Sequence, residues 1–231
     1  QMFTRTEERG LKDESAVTIA LLGIGDFRTI PFSFDLDDVY LDDTLHNADQ
    51  ATSLLGVNVL GSLLEAENGD TGPAVTIDNP LSMAAESFRR LRTNLGYASV
   101  DHQLRSLQIT STDPQEGKSY VVANLGVAYA LQGKRVLILD ADLRRPTQHS
   151  AFWDVPRKRG LTDAIVALAE SPEEDCRDVI LGMVKSSPVQ GLHLLTAGSS
   201  VPNPTEMLDS RSFERLIHCL IEEYDLVLID T

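Results

Sequence analysis

Cysteine is nearly absent: the 231 residues include two, Cys176 and Cys219, far apart in sequence and not at metal-ligand spacing. This excludes a disulfide framework, and both read most simply as reduced thiols of a cytosolic protein. Cys219 falls in an apolar helical run, where a thiol packs as a small hydrophobe. The five histidines (His46, His102, His149, His193 and His218) form no H-x-x-x-H cluster, so no zinc site is indicated. Positive charge is scarce as well. Twenty Lys and Arg stand against 35 Asp and Glu, a net charge of −15, which argues against nonspecific binding to nucleic acid or anionic lipid. No stretch approaches the ~20 apolar residues of a membrane helix. The most apolar part of the first third, Ala16–Ile24, is short, is followed by Asp26 and Arg28, and lacks the basic leader of a secretory signal.

The charge that is present is uneven. Residues 1–80 hold 4 basic and 15 acidic side chains, whereas residues 81–231 hold 16 and 20. The division predicts an acidic amino-terminal segment over 1–80 and a main domain over 81–231. A hydrophobic content of 42% suffices for one core plus an appendage.

Within the main domain, QITSTDPQEGKS (108–119) leads into the helical stretch YVVANLGVAYALQG and then the strand RVLILDADLRRP. Strand, tight loop ending in Gly117-Lys118-Ser119, helix and acid-tipped strand is the context in which such a loop cradles phosphate. Gly117 lets backbone amides point at phosphate oxygens, Lys118 reaches the β- and γ-phosphates, and the Ser119 hydroxyl can ligate magnesium. A helix beginning at Lys118 aims its positive end at the same group. The candidate nucleotide-binding residues are Asp113, Pro114, Gln115, Glu116, Gly117, Lys118, Ser119 and Tyr120. Thr112 stands where the general pattern has Gly or Ala, so the loop entrance is built differently.

The next strand ends Asp140-Ala141-Asp142. Residues two apart on an extended strand share a side, so both carboxylates can face the loop, where their repulsion calls for a cation. A third element, Tyr224-Asp225-Leu226-Val227-Leu228-Ile229-Asp230, is an aliphatic run closed by an acid. It suits a strand buried on both faces of a parallel sheet, with Asp230 at the carboxyl end where open α/β sheets bind ligands. Asp140, Asp142 and Lys118 are therefore the catalytic candidates, and Ser119, Asp142 and Asp230 the magnesium candidates.

In order, STDPQEGKS, VLILDADLRRP, NPTEMLDS and YDLVLID resemble the motif series of the bacterial tyrosine kinases of capsule and exopolysaccharide synthesis, the BY-kinases. The resemblance covers roughly residues 81–231, with a weaker similarity over Leu36–Leu63 to the segment after the second membrane helix of fused chain-length regulators; residues 1–35 match nothing in that pattern. The related partitioning and division-site ATPases carry a signature lysine early in the loop, where this chain has Asp113.

The resemblance implies a three-layer α/β domain with a mainly parallel sheet and a phosphate-loop core, strands near 105–111, 135–140, 192–196 and 226–230. It implies ATP and Mg2+ as cofactors and γ-phosphoryl transfer to protein tyrosine, with Asp140 as base. It further implies a transmembrane chain-length regulator as fused or separate activator, tyrosine-bearing protein substrates, homo-oligomers, no nucleic-acid partner, and a place in the cytoplasm at the inner face of the plasma membrane. Glu86, Arg89 and Arg92 fit the family's E-x-x-R-x-x-R motif, an intersubunit contact in relatives. Family members continue past the Asp230 strand with further elements and a tyrosine-rich tail, so the domain is expected to be incomplete at its carboxyl end. The competing readings are a partitioning-type ATPase switch and a catalytically incomplete nucleotide-binding scaffold.

Local signals complete the reading. Ser82 suits the N-cap of a helix through about Leu95, ended by Gly96. Gly160-Leu161-Thr162-Asp163 begins another helix, and Ser171–Asp175 reads as an acidic turn. Asn203-Pro204-Thr205-Glu206 has cap, first-turn proline and acid in register for a helix start, with Met207, Leu208, Leu216, Ile217, Leu220 and Ile221 as its core contacts.

Overall fold

The computed structural model describes residues 16–20 as a strand and residues 59–63, 74–100, 103–111, 116–170 and 175–231 with their side chains. The expectations for Asp113, Pro114, Gln115, the acidic turn at 171–174 and most of the acidic segment fall outside the described residues.

The aliphatic runs form the sheet because their side chains can be buried on both faces. Its strands are β1 (Ala16–Ala20), β2 (Ser106–Thr110), β3 (Val136–Asp140), β4 (Lys185–Ser186), β5 (Leu192–Leu195) and β6 (Leu226–Asp230), in the order β1-β2-β6-β3-β5-β4. Every neighbouring pair is parallel except β4 with β5. The four strands expected from sequence are present, each within a residue or so of its expected bounds. The pairing of β1 with β2 is an addition that sequence reasoning did not supply.

Strand alternation divides the core in two. Val136 and Ile138 join Leu192, Leu194, Leu226 and Leu228 in one buried cluster, while Leu137 and Leu139 join Leu195 and Val227 in the other. Helices α1 (Val75–Asp78), α2 (Met83–Ala98) and α3 (Lys118–Ala130) cover the first face. Helices α4 (Leu161–Glu170), α5 (Cys176–Leu181) and α7 (Arg211–Glu223) cover the second, with the short α6 (Pro204–Leu208) before α7. The result is the three-layer α/β architecture.

Helix α3 begins at the Gly117-Lys118-Ser119 turn, and its packing fixes where that turn sits. It is buried nearly all round, between the sheet and α2. A Cβ on Gly126 would come 2.9 Å from the Ile138 Cδ1, so glycine there lets the helix settle close to β3. Asn124, fully buried, accepts from the Thr76 N–H (3.1 Å) and hydroxyl (2.9 Å) and donates to the Tyr120 carbonyl (3.0 Å). The amide is thus satisfied, and packing onto α3 begins before residue 81.

Three local expectations are corrected. Ser82 does cap α2, accepting from the Ala85 N–H, but Gly96 does not end it. The helix runs on to Ala98 because Leu91 and Leu95 are locked in the core, which overrides the ~1 kcal/mol penalty of an exposed helical glycine. Asn203 does not cap α6 with its side chain; its amide donates to the Glu206 carboxylate instead (3.0 Å). The helix expected there is two, because the Ser210 hydroxyl accepts from the Phe213 N–H and starts α7 afresh.

The cysteines, distant in sequence, are neighbours in space. Cys176 on α5 is buried with its thiol pushed up to about 12 by burial and by the adjoining Cys219 of α7; both are free thiols. Among the described residues no helix is long and apolar enough to cross a membrane.

The loop after β5 is tied tightly to the start of α4. A Cβ on Gly160 would lie 2.1 Å from the Thr196 carbonyl oxygen, so only glycine fits. The Asp163 carboxylate accepts from the Gly160 and Ser199 N–H groups and from the Ser199 hydroxyl (2.9, 3.1 and 2.7 Å), holding this loop at the sheet's carboxyl edge.

Candidate functional site

The carboxyl ends of β2, β6 and β3 converge on the first turn of α3. Gly117 takes φ +85°, the left-handed region that a side chain would strain, and serves as the residue from which α3 starts. Lys118 and Ser119 therefore occupy the first turn, where unpaired amides and the helix dipole favour an anion. The Lys118 ammonium donates to the Ser111 hydroxyl just beyond β2, 2.9 Å away. Tyr120 follows, but its ring packs edge-to-face on Phe88 of α2 at 5.7 Å, towards the first core cluster. It is the Tyr120 backbone that belongs to the loop.

The two strand-tip acids are brought together by register. Asp140 of β3 is directly opposite Asp230 of β6, and both are buried. Asp140 is the more exceptional. Neither of its oxygens has a well-formed hydrogen bond among the described residues, the Gln148 and Asp142 backbone N–H groups giving only partial relief. Burial, then the Asp230 charge, then that of Asp142 push its carboxyl up to about 8. Asp230 is also raised by burial, but hydrogen bonding from Gln148 and Ser119 and the charge of Lys118 oppose the rise.

Asp142 is placed differently from the extended-strand expectation. β3 stops at Asp140, and the Leu143 N–H returns to the Ala141 carbonyl (2.9 Å), so Asp142 sits in a tight turn. Its carboxylate accepts from the Arg144 and Arg145 N–H groups (3.2 and 2.9 Å). The period-two argument fails because the chain is no longer extended there, yet the Asp142 charge still reaches Asp140 and Asp230.

Sequence reasoning missed Thr147, Gln148 and Trp153. The Thr147 hydroxyl is 3.0 Å from the Ser119 hydroxyl. Gln148 opens a single π-helical turn, Gln148–Phe152, of a kind frequent at functional sites. It is fully buried; its amide nitrogen donates to the Ser119 carbonyl (2.9 Å) and to the Asp230 carboxylate (2.8 Å), and its oxygen accepts from the Trp153 indole N–H (3.1 Å). No spacing in the sequence announces such a residue, because Ser119 and Asp230 come from elements distant in sequence, and only Trp153 is local.

Magnesium fits this donor set. One oxygen of Asp230 is a buried acceptor without a well-formed hydrogen bond, beside the Ser119 hydroxyl and within reach of the Asp142 charge. Yet among the described residues no three His, Cys, Asp or Glu side chains converge to hold a metal alone. A hard cation that keeps waters and shares phosphate oxygens, bound through one or two carboxylates, matches this arrangement.

Of the interface candidates, Glu86 and Arg89 pair within α2 at 3.0 Å, and Arg90 lies 3.7 Å from Glu86. Arg89 also reaches the Pro80 carbonyl. Arg92 is committed internally: it donates to the Ala128 carbonyl near the end of α3 (2.7 Å), a favourable place for a cation, while burial lowers its pKa.

Residues 107–227, more than half of the chain, match the family profile described as the CobQ/CobB/MinD/ParA nucleotide binding domain. The chain belongs to this family. Within the CobQ/CobB/MinD/ParA domains its relatives are bacterial tyrosine-protein kinases. It is 42% identical over 157 residues to tyrosine-protein kinase YwqD of Bacillus subtilis (strain 168), covering 68% of this chain and 62% of that protein. To tyrosine-protein kinase etk of Escherichia coli (strain K12) it is 33% identical over 159 residues, covering 69% of this chain and 20% of that one. The solved chimerical protein CapA2B2 superposes with a TM-score of 0.68 at 34% identity, covering 80% of this chain and 75% of the other. The chain thus spans less than two thirds of the length of YwqD and about a fifth of etk.

Proposed function

We propose that this chain transfers the γ-phosphoryl group of ATP to protein tyrosine and thereby regulates capsular or exopolysaccharide assembly and export. The observation that carries the reading is the register pairing of Asp140 and Asp230 beside the Gly117-Lys118-Ser119 turn, in a chain whose relatives are named tyrosine-protein kinases.

Each residue has a part. The loop around Glu116 and Gly117 and the first turn of α3 hold the phosphates, with Asp113, Pro114 and Gln115 completing the cradle. Lys118 meets the β- and γ-phosphate oxygens. Ser119, Asp142 and Asp230 are the groups that would hold magnesium, which when bound neutralises charge shared by those oxygens. Asp140 takes the tyrosine proton as the phenolic oxygen bonds to phosphorus and the bond to the β-phosphate oxygen breaks, releasing ADP. In the chain without a cation, burial and the neighbouring Asp230 and Asp142 charges favour the protonated Asp140, and magnesium held on those two acids would offset their repulsion and favour the carboxylate that accepts the proton.

Of the four described tyrosines, Tyr120, Tyr129 and Tyr224 are partly or fully buried, whereas Tyr97 is 73% exposed. An acceptor tyrosine therefore comes from the surface or from another polypeptide. We assign the activator role to a membrane-spanning chain-length regulator, fused or separate, which would hold the domain at the inner face of the plasma membrane. The partitioning-switch reading has Asp113 against it. Incubation with Mg-ATP, followed by phosphotyrosine immunoblotting and mass spectrometry, is the test. Tyrosine phosphate on the chain or on an added tyrosine-bearing protein is expected; ATP hydrolysis with none would favour the switch, and nucleotide binding without turnover the scaffold.

The homo-oligomer is assigned to Glu86 and Arg89, which lie partly exposed on α2, with Arg92 supporting α3 from within. Sedimentation should show the double variant Glu86→Ala/Arg89→Ala shifted towards monomer relative to the parent. Equal association of the two chains would return these residues to the role of a solvated intrahelical pair, contributing only a few tenths of a kcal/mol.

A further inference from the structure

Gln148 connects elements that the transfer site needs held in one geometry. Its orientation is fixed by chemistry. A carbonyl and a carboxylate both demand N–H donors, and an indole N–H demands an acceptor, so the amide can point only one way. The two N–H groups are then divided between the Ser119 backbone, in the first turn of α3, and Asp230 Oδ2, at the tip of β6. Binding Oδ2 in this way leaves Asp230 Oδ1 as the buried acceptor without a well-formed partner. The other end of the amide is tied to Trp153, which is 7% exposed and belongs to the first core cluster. The turn itself is closed by the Val155 N–H on the His149 carbonyl (2.9 Å).

We propose that Gln148 is a positioning residue for the magnesium–nucleotide complex. It sets the Asp230 carboxylate against the Ser119 turn, and Trp153 anchors it and reports the state of the site. The inference rests on the reading of Ser119 and Asp230 as magnesium-side groups. Partners that orient a metal-side ligand through a hydrogen bond commonly matter nearly as much as the ligand. Since Trp153 is the single tryptophan of the chain, its fluorescence is an unmixed signal from a side chain in contact with the amide.

The test is ADP affinity by calorimetry, with magnesium and with EDTA, in the parent, Gln148→Met and Trp153→Phe chains. Methionine fills the same space without the amide, and phenylalanine keeps an aromatic ring without the N–H. Gln148→Met should cut the enhancement of ADP binding by magnesium about tenfold or more while leaving magnesium-free affinity within about twofold. Trp153→Phe should shift it in the same direction by less. In the parent, adding magnesium to the ADP-bound chain should move the Trp153 emission, and in Gln148→Met that response should be lost.

Two results would overturn the assignment: an unchanged magnesium enhancement in Gln148→Met, or equal losses with and without magnesium, which mark general damage. If Gln148→Met does not fold, Trp153→Phe decides, an unaltered enhancement there counting against the proposal. A parent in which magnesium adds nothing to ADP binding would refute the magnesium reading itself, and this inference with it.

Discussion

Lys118→Met is expected to reduce ATP binding to a level near the limit of calorimetric detection. The side chain stands in the first turn of α3, where in the proposed role it would meet the anion together with the helix terminus. Hydrogen bonds to charged groups contribute about 1.5–3 kcal/mol each, so losing even one costs roughly 10- to 150-fold in affinity. Lys118 has more than one phosphate oxygen to reach. Methionine keeps the length and apolar character of the stem, so the fold should persist; the bond lost within the chain, to the Ser111 hydroxyl, is partly buried and local. Calorimetry with Mg-ATP, with circular dichroism as the control for folding, checks this. A variant that binds as tightly as the parent would remove the phosphate-loop assignment.

Asp140→Asn is expected to retain nucleotide and to lose phosphotyrosine formation by on the order of 100- to 10,000-fold, the usual contribution of a positioned base. Asparagine keeps the shape and removes the proton acceptor. An unchanged rate would assign proton removal elsewhere or dispense with it. The same substitution has a second, opposite effect on the chain without nucleotide. A carboxyl raised from about 3.8 to about 8 favours the folded state only while protonated. Below the unfolded value both states are protonated and the group carries no penalty. Between the two values the unfolded chain has released its proton while the folded chain holds it, so stability falls as pH rises, levelling off above about 8. In EDTA, Asp140→Asn should therefore raise the melting temperature most at pH 8–9 and flatten that slope; equal melting curves at pH 5 and pH 9 for parent and variant would contradict the buried charge.

Much of the fold was legible because its signals are local. VLILD and LVLID are short apolar runs closed by an acid, and such runs can be little else than interior strands. The GKS turn, with a strand before it and a helix after, placed Lys118 and Ser119 in the first turn of α3. Asp140 and Asp230 were legible as strand tips, and adjacency in the sheet supplied their pairing. What failed did so where tertiary contacts compete with local propensity. Gly96 stays helical because Leu95 is held in the core, and Asp142 leaves the strand because its carboxylate finds the Arg144 and Arg145 amides. Arg92, which its motif places at an intersubunit contact, also donates to a helix-end carbonyl of its own chain, a bond no sequence signal announced. Gln148 was invisible because Ser119 and Asp230, distant in sequence, meet it only in three dimensions.

The position of β6 has a consequence for how the protein comes into being. The strand lies between β2 and β3, although it is made last of the three. During translation the chain between Asp140 and Asp230, about 90 residues, takes on the order of 5–20 s to emerge. Throughout that interval the inner edges of β2 and β3 have no native neighbour to satisfy them, the condition under which strands pair with the wrong chain. Nucleotide cannot stabilise the nascent domain early, because half of its acidic site has yet to arrive. Ligand binding at the paired acids can therefore begin only once β6 has emerged and taken its place between β2 and β3.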